Sequence, residues 1–292
     1  MTTASYGTRG AFALREALSA RRLVRVAGAH DGLSARLAEE AGFDAVWASG
    51  LEISAAHGLP DVSLLGLAEY LAAGTSMRRA VTVPVVADCD TGFGGNLNAA
   101  HTMMRYEEAG ISGICIEDKL FPKRNSFVNS GQKLLETAEF CQKLEAAKGV
   151  QMNPDTVLIA RTEAFICGMS LQEALDRCHR YVDAGADAVL VHSKQSHSGE
   201  ILSFMEKWDD RAPVVVVPTT YSDFSEQEAR QAGVAMMIYA NQGMRAQITA
   251  VRQTWATVIA EGSAASLEMR IASVKDVFAI SGMDEWLERA GG

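Results

Sequence analysis

Four segments of this chain repeat one pattern: EEAGFDAVWAS, EEAGISGICIED, VDAGADAVLVHS and RQAGVAMMIYAN. In each, an amphipathic stretch with helical spacing ends at Ala-Gly (Gly42, Gly110, Gly185, Gly233) and a short apolar run follows. Glycine just past a helix takes the left-handed cap conformation that a side chain resists, and the apolar run reads as a buried parallel strand. Each repeat is therefore the αβ half of a βα unit. Further apolar runs at 23–28, 83–90, 156–162 and 213–219 join those near 44–49, 113–118, 188–193 and 235–241, making eight strands alternating with helical segments. Alternation of this kind gives an open doubly wound sheet or a closed barrel, and eight strands in 292 residues favour an α/β fold of the (β/α)8 TIM-barrel type. No Gly/Ser/Pro-rich linker divides the chain, so 1–292 reads as a single barrel domain, with 263–292 as a helical C-terminal extension.

Composition narrows the function classes. A net charge of -9 with no long basic run gives nucleic acid little to bind, and no apolar run approaches the roughly 20 residues that span a bilayer. The N-terminal segment lacks a continuous apolar stretch followed by a small-residue cleavage site, so a cytoplasmic location is expected. Five cysteines form no CxxC pair and read as buried reduced thiols.

In a barrel the chemistry sits where strands end, at the C-terminal rim. Ser49, Asp88 with Asp90, Glu117 with Asp118, Arg161 with Glu163, His192, Thr219 and Asn241 fall at seven such ends. In ADCDTGFGG, strand alternation sends Asp88 and Asp90 to one side, where two acids repel unless a cation compensates. With Glu117 they make an oxygen cluster suited to Mg2+ or Mn2+, and the absence of cysteine or paired-histidine ligand spacing argues against zinc. Asp61 either joins that shell or caps a helix after Pro60. Ser49, Gly50 and Leu51 end a strand at a turn whose backbone N–H groups can nest a carboxylate. Arg161 brings a planar fork able to bridge two acidic groups of one ligand, with an ion pair to Glu163 or Asp88 as the plainer reading. His192 is either a donor to a phosphoryl oxygen or a satisfied core histidine. After the fourth strand, IEDKLFPKRNS opens a loop over 119–133 long enough to act as an active-site lid, with Gly131 as its hinge.

The segments AHDGLSARLAEEAGF, WASGLEISA, ADCDTGFG, EDKLFPKRNS, ARTEAFI, EALDRCHRYVDAGADAVLVHSK and SVKDVF cover nearly the whole chain. By them it resembles the phosphoenolpyruvate mutase/isocitrate lyase superfamily, and its mutase branch most, through Glu117-Asp118-Lys119 followed after five residues by Asn125-Ser126. The resemblance implies a barrel whose last helix is exchanged between neighbouring subunits, in a homo-oligomer that is a dimer or tetramer. It implies Mg2+ held directly by Asp88, with Asp61, Asp90 and Glu117 acting largely through water. Ser49, Gly50 and Leu51 are then contacts for the substrate carboxylate, and Trp47 lies beneath the ligand. Arg161, His192, Asn125, Ser126 and Lys123 surround the phosphoryl group, and Asp61 counts among the catalytic residues.

The activity implied is interconversion of phosphoenolpyruvate and phosphonopyruvate by phosphoryl transfer through a metaphosphate-like species. An enzyme that consumes phosphonopyruvate is implied as its pathway partner. Phosphonopyruvate hydrolysis is the alternative, a sister activity in which a Thr-containing element replaces Asn-Ser. A carbon–carbon lyase is disfavoured because Phe121-Pro122-Lys123 stands where the lyases carry a K-x-C-G-H loop. A binding barrel without chemistry is disfavoured because the rim acids, Arg161 and the lid motif all remain. Asp31 and Gln242 depart from the usual Asn and His of the superfamily.

Overall fold

The computed structural model describes residues 3–128 and 131–291. Eight parallel strands close on themselves in chain order: β1 (Val24–Ala29), β2 (Ala45–Ala48), β3 (Val85–Asp88), β4 (Gly113–Glu117), β5 (Val157–Thr162), β6 (Ala188–Val191), β7 (Val214–Val216) and β8 (Met236–Tyr239). The ring is completed by β1 pairing with β8, Val26 opposite Ile238. Each strand feeds at least one helix: α2 (Gly32–Glu40), α3 (Gly50–Ala56) and α4 (Leu67–Ala80), α5 (Asn96–Glu108), α6 (Thr137–Gly149), α7 (Leu171–Asp183), α8 (Gly199–Lys207) and α9 (Glu226–Gln231). The four Ala-Gly turns end α2, α5, α7 and α9, and their glycines have φ of 85°, 75°, 101° and 82°. That left-handed conformation is what lets each helix stop abruptly enough for the next strand to start two or three residues later.

Strand pleating sorts the residues into two shells. Val24, Val26, Trp47, Val86, Cys115, Ile159, Leu190, Val215 and Ile238 fill the barrel interior, joined by Leu14, Ala17 and Leu18 of the leading helix α1 (Thr3–Ser19). Their outward neighbours, such as Val46, Ala87, Ile114 and Ala160, pack beneath α2, α4, α5 and α6. Val189, Val191, Val214 and Val216 pack beneath α7, α8 and α9. Period-2 alternation continued one step past each inner residue points Ser49, Asp88, Glu117, Arg161, Glu163, His192 and Thr219 into the mouth.

Asp90 arrives differently from expectation. Strand β3 ends at Asp88, and Asp90 has φ 49°, so a tight turn rather than continued pleating buries it beside Asp88. All five cysteines are free thiols, four of them buried.

The chain divides into two compact units, Met1–Asn241 and Gln242–Gly292. The second holds α10 (Gln242–Glu261), α11 (Val274–Ser281) and α12 (Met283–Arg289), so the boundary expected at 263 falls between α10 and α11. None of the residues of α10 is buried, and Ile248, Val251, Trp255 and Ile259 lie exposed at helical spacing. None of the described helices is long and apolar enough to cross a membrane.

Candidate active site

The barrel mouth holds a cavity of about 50 Å3 lined by Trp47, Ser49, Leu51, Asp61, Asp88, Lys119, Lys123, Asn125, Ser126, Phe127, Arg161, His192, Val217, Thr219, Ala240 and Asn241. Most of the residues expected at the site line this one small space, whereas Gly50, Asp90 and Glu117 do not. Trp47 forms its floor as the last inward residue of β2, and it is itself buried.

On the β2–β3 side stand the acids. Asp88 accepts from the Gly50 N–H at 3.4 Å and from the Asp90 N–H at 3.2 Å. Asp61 and Asp90 share the ammonium of Lys123, which lies 3.0 Å from Asp61 Oδ1 and 2.5 Å from Asp90 Oδ1. Asn125 donates from Nδ2 to Asp61 Oδ2 at 2.7 Å. Burial alone would raise the Asp61 carboxyl, but Lys123 and Asn125 overcome it and hold Asp61 below the ordinary range. Asp90 is pushed up to about 7, first by burial and then by Asp88, Asp61 and Glu117, against the pull of Lys123.

Four carboxylates with no thiolate form a donor set that fits a hard divalent cation, and buried Glu117 Oε1 has no hydrogen-bond partner, leaving a ligand atom to spare. Among the described residues, no three acidic, His or Cys side chains are already gathered as a metal cage. Competing partners account for this: Lys123 holds Asp61 and Asp90, Gly50 holds Asp88, and Arg161 Nε lies 3.4 Å from Glu117.

The carboxylate nest is narrower than the sequence suggested. Ser49 caps α3, accepting from the Glu52 N–H, while its own N–H goes to Ala29 O and that of Gly50 to Asp88. The Ser49 hydroxyl and the Leu51 N–H at the start of α3 are what this corner offers a ligand. A Cβ at Gly50 would lie 3.1 Å from both Asp88 Oδ2 and the Tyr70 ring, a tight fit that would press on the Asp88 carboxylate.

On the β5–β6 side the charges are cationic and converge on one acid. Arg161 donates from Nε to Glu163 Oε1 at 2.5 Å, and its Nη2 lies 2.8 Å from His192 Nδ1. His192 Nδ1 lies 2.8 Å from the same Glu163 oxygen. Burial, the largest influence, lowers the His192 pKa despite the opposing pull of Glu163, so the ring is neutral at pH 7. Glu163 is driven well below the carboxylate range: burial opposes this, but Arg161, His192 and Lys119 outweigh it. Sequence reasoning gave Glu163 only the part of an ion-pair partner for Arg161, since its other contacts come from 44, 37 and 29 residues away.

The segment after β4 lies across this mouth. Its base is clasped by a Lys119–Leu134 bridge, with Leu120 N–H donating to Lys133 O and Leu135 N–H to Asp118 O. Lys123, Asn125 and Ser126 then reach down into the site; of the expected lid 119–133, residues 129 and 130 lie outside the described residues. Gly131 has φ 75°, and a Cβ there would meet the Arg124 guanidinium. Of the two departures, Asp31 caps α2 through the Ser34 N–H, and Gln242 begins α10.

Residues 14–259 match the family model described as phosphoenolpyruvate phosphomutase. A phosphoenolpyruvate phosphomutase of Tetrahymena pyriformis is 40% identical over 279 residues, covering 95% of this chain and 93% of its own. The crystal structure of a phosphoenolpyruvate phosphomutase from Streptomyces platensis subsp. rosaceus superposes with a TM-score of 0.94 at 51% identity, over 96% of this chain and 98% of that one. A phosphonopyruvate hydrolase complexed with oxalate and Mg2+ superposes at 0.90 with 37% identity, over 98% and 97% of the two chains.

Proposed function

Because the chain belongs to the phosphoenolpyruvate phosphomutase family of enzymes, we propose that it interconverts phosphoenolpyruvate and phosphonopyruvate in the cytoplasm, moving the phosphoryl group between the enol oxygen and C3 of pyruvate. The observation that carries this reading is the place of Asn125. Its amide is tied to Asp61 at the wall of a cavity of about 50 Å3. An amide holds a phosphoryl oxygen without acting as a base toward water, so the pyruvate enolate is the acceptor once the lid excludes water.

The ligand's carboxylate is received by the Ser49 hydroxyl and the Leu51 N–H, with Trp47 beneath the three-carbon unit. Asp88, with Asp61, Asp90 and Glu117, would hold Mg2+, which supplies electrostatic stabilisation of the enolate charge. Arg161 offers its fork to the transferring oxygens. Glu163 takes the Nδ1 proton of His192 and so holds the ring in one orientation at the phosphoryl end of the pocket. Lys123 and Asn125 close over the leaving and attacking atoms, and Lys123 keeps the charge of Asp61 and Asp90 neutralised while the pocket is shut. The equilibrium of this reaction lies toward phosphoenolpyruvate, so an enzyme consuming phosphonopyruvate is its metabolic partner. The apolar stripe of α10 fits contact with a second copy of the chain, in a helix-exchanged dimer or tetramer.

The hydrolase reading competes because a phosphonopyruvate hydrolase has nearly the same fold. Incubating the purified enzyme with phosphonopyruvate and Mg2+ separates the two. Phosphoenolpyruvate is the expected product, and its formation stops when a chelator removes the metal. Stoichiometric phosphate and pyruvate would establish hydrolysis instead.

A further inference from the structure

We infer that Glu163 is a positioning residue that couples closure of the lid to the setting of Arg161 and His192. One carboxylate serves both. Its Oε1 takes the two pocket groups, Arg161 Nε at 2.5 Å and His192 Nδ1 at 2.8 Å. Its Oε2 takes the two lid groups, accepting from Ser126 Oγ at 2.6 Å and facing Lys119 Nζ at 3.1 Å. A carboxylate offers about four acceptor positions, and here all are used by these partners. Lys119 in turn donates to Ser126 Oγ at 2.6 Å and to Arg124 O at 2.9 Å, so the Glu163 side grips the descending limb of the lid at two points.

Glu163 is itself held from behind, where the outward-facing Asp118 accepts from the Glu163 N–H at 2.9 Å and from Thr162 Oγ1 at 3.0 Å. Asp118 also accepts from the Tyr181 hydroxyl at 2.7 Å, with Arg177 Nη1 at 3.5 Å, both from α7. The hub is fully buried and braced by the outer helix layer, so it moves little when its partners do. Lifting the lid takes Ser126 from Oε2 and leaves Lys119, clasped at the base, as its one remaining partner, so the buried carboxylate is less well satisfied, a state that costs free energy. The cost falls if Arg161 and His192 swing toward the vacated oxygen, away from a ligand. Linkage makes this reciprocal: a ligand that fixes Arg161 and His192 favours the closed lid by the same factor that the closed lid favours the ligand.

The coupling serves the phosphoryl transfer proposed above, and its catalytic readout rests on that reading. Wild type, Glu163→Gln and Ser126→Ala are compared in two assays. With phosphonopyruvate and Mg2+, Glu163→Gln is expected to lose about 100-fold in kcat with KM changed by less than about threefold, while the share of phosphate over phosphoenolpyruvate rises about tenfold as water enters. Ser126→Ala shifts the share in the same direction by a smaller factor. In the second assay, trypsin cleavage after Lys123 and Arg124 is timed with and without saturating oxalate and Mg2+. Oxalate slows cleavage of the wild type about tenfold or more, and this protection disappears in Glu163→Gln.

A proportional loss of rate with an unchanged product share and unchanged protection would overturn the proposal, leaving Glu163 a merely structural residue. If the wild type itself yields only phosphate and pyruvate, the mutase reading fails, and the trypsin assay still decides the coupling. Should circular dichroism show Glu163→Gln unfolded, Ser126→Ala decides it in both assays, with wild-type behaviour counting against.

Discussion

Arg161 shows how much one residue is asked to do at this mouth. Its guanidinium meets Glu163, Glu117, Ser126 and His192 at once, at 2.5, 3.4, 3.4 and 2.8 Å. Ion pairing and ligand binding, the two readings the sequence left open, are compatible, because the fork pairs through Nε and Nη2 while lining the cavity. Arg161→Lys replaces a planar fork by a point charge that cannot hold Glu163 and His192 together. Turnover is expected to fall about 100-fold while the thermal midpoint changes by no more than a few degrees, as read by steady-state kinetics and calorimetry. Near-normal kinetics would remove Arg161 from the phosphoryl site. The strand-end position of Arg161, Asp88, Glu117 and His192 was legible because pleating is local. The partnerships among them were not, since each joins residues from different strands.

At the scale of elements, the β3–α5 turn (Cys89–Gly95) is fastened by a side chain that no motif announced. Lys143 of α6 is buried and donates from Nζ to Thr91 O at 2.8 Å, one residue past Asp90. Among the described residues no carboxylate pairs with it, and burial lowers its pKa to about 8 from 10.5. Between these two values the unfolded chain binds a proton that the native lysine has released, so native stability rises as pH increases from about 8 to 10.5. Lys143→Met should flatten that rise in urea titrations at the two ends of the window. It should also lower turnover about tenfold at pH 7 by releasing the Thr91 carbonyl and the Asp90 turn. A wild-type profile flat across the window would show that the lysine keeps its proton by other means. The helices and strands themselves were readable from the Ala-Gly caps, yet this fastening spans 52 residues and depends on α6 lying against α5, which sequence periodicity does not encode.

For the whole molecule, the unit Gln242–Gly292 carries the clearest unmet demand for burial. Ile248, Val251, Trp255 and Ile259 are 42%, 43%, 62% and 85% exposed on one helix, far more apolar surface than a solitary soluble helix displays. Sedimentation velocity is expected to show an oligomer for the wild type and a shift toward monomer for Trp255→Asp. A monomeric wild type at micromolar concentration would contradict the proposed association. The closed eight-strand architecture was legible from counting strands, whereas the boundary at Gln242 was not, since no linker composition marks it.

The closed pairing of β1 with β8 has a consequence of its own. A ring has no terminal member, so the distances across its opening are fixed by the staves and not by whatever covers them. The covering segment between β4 and α6 is thereby free to diverge, as an exchangeable stopper on a permanent neck. A handful of its residues can then be replaced while the vessel stays intact.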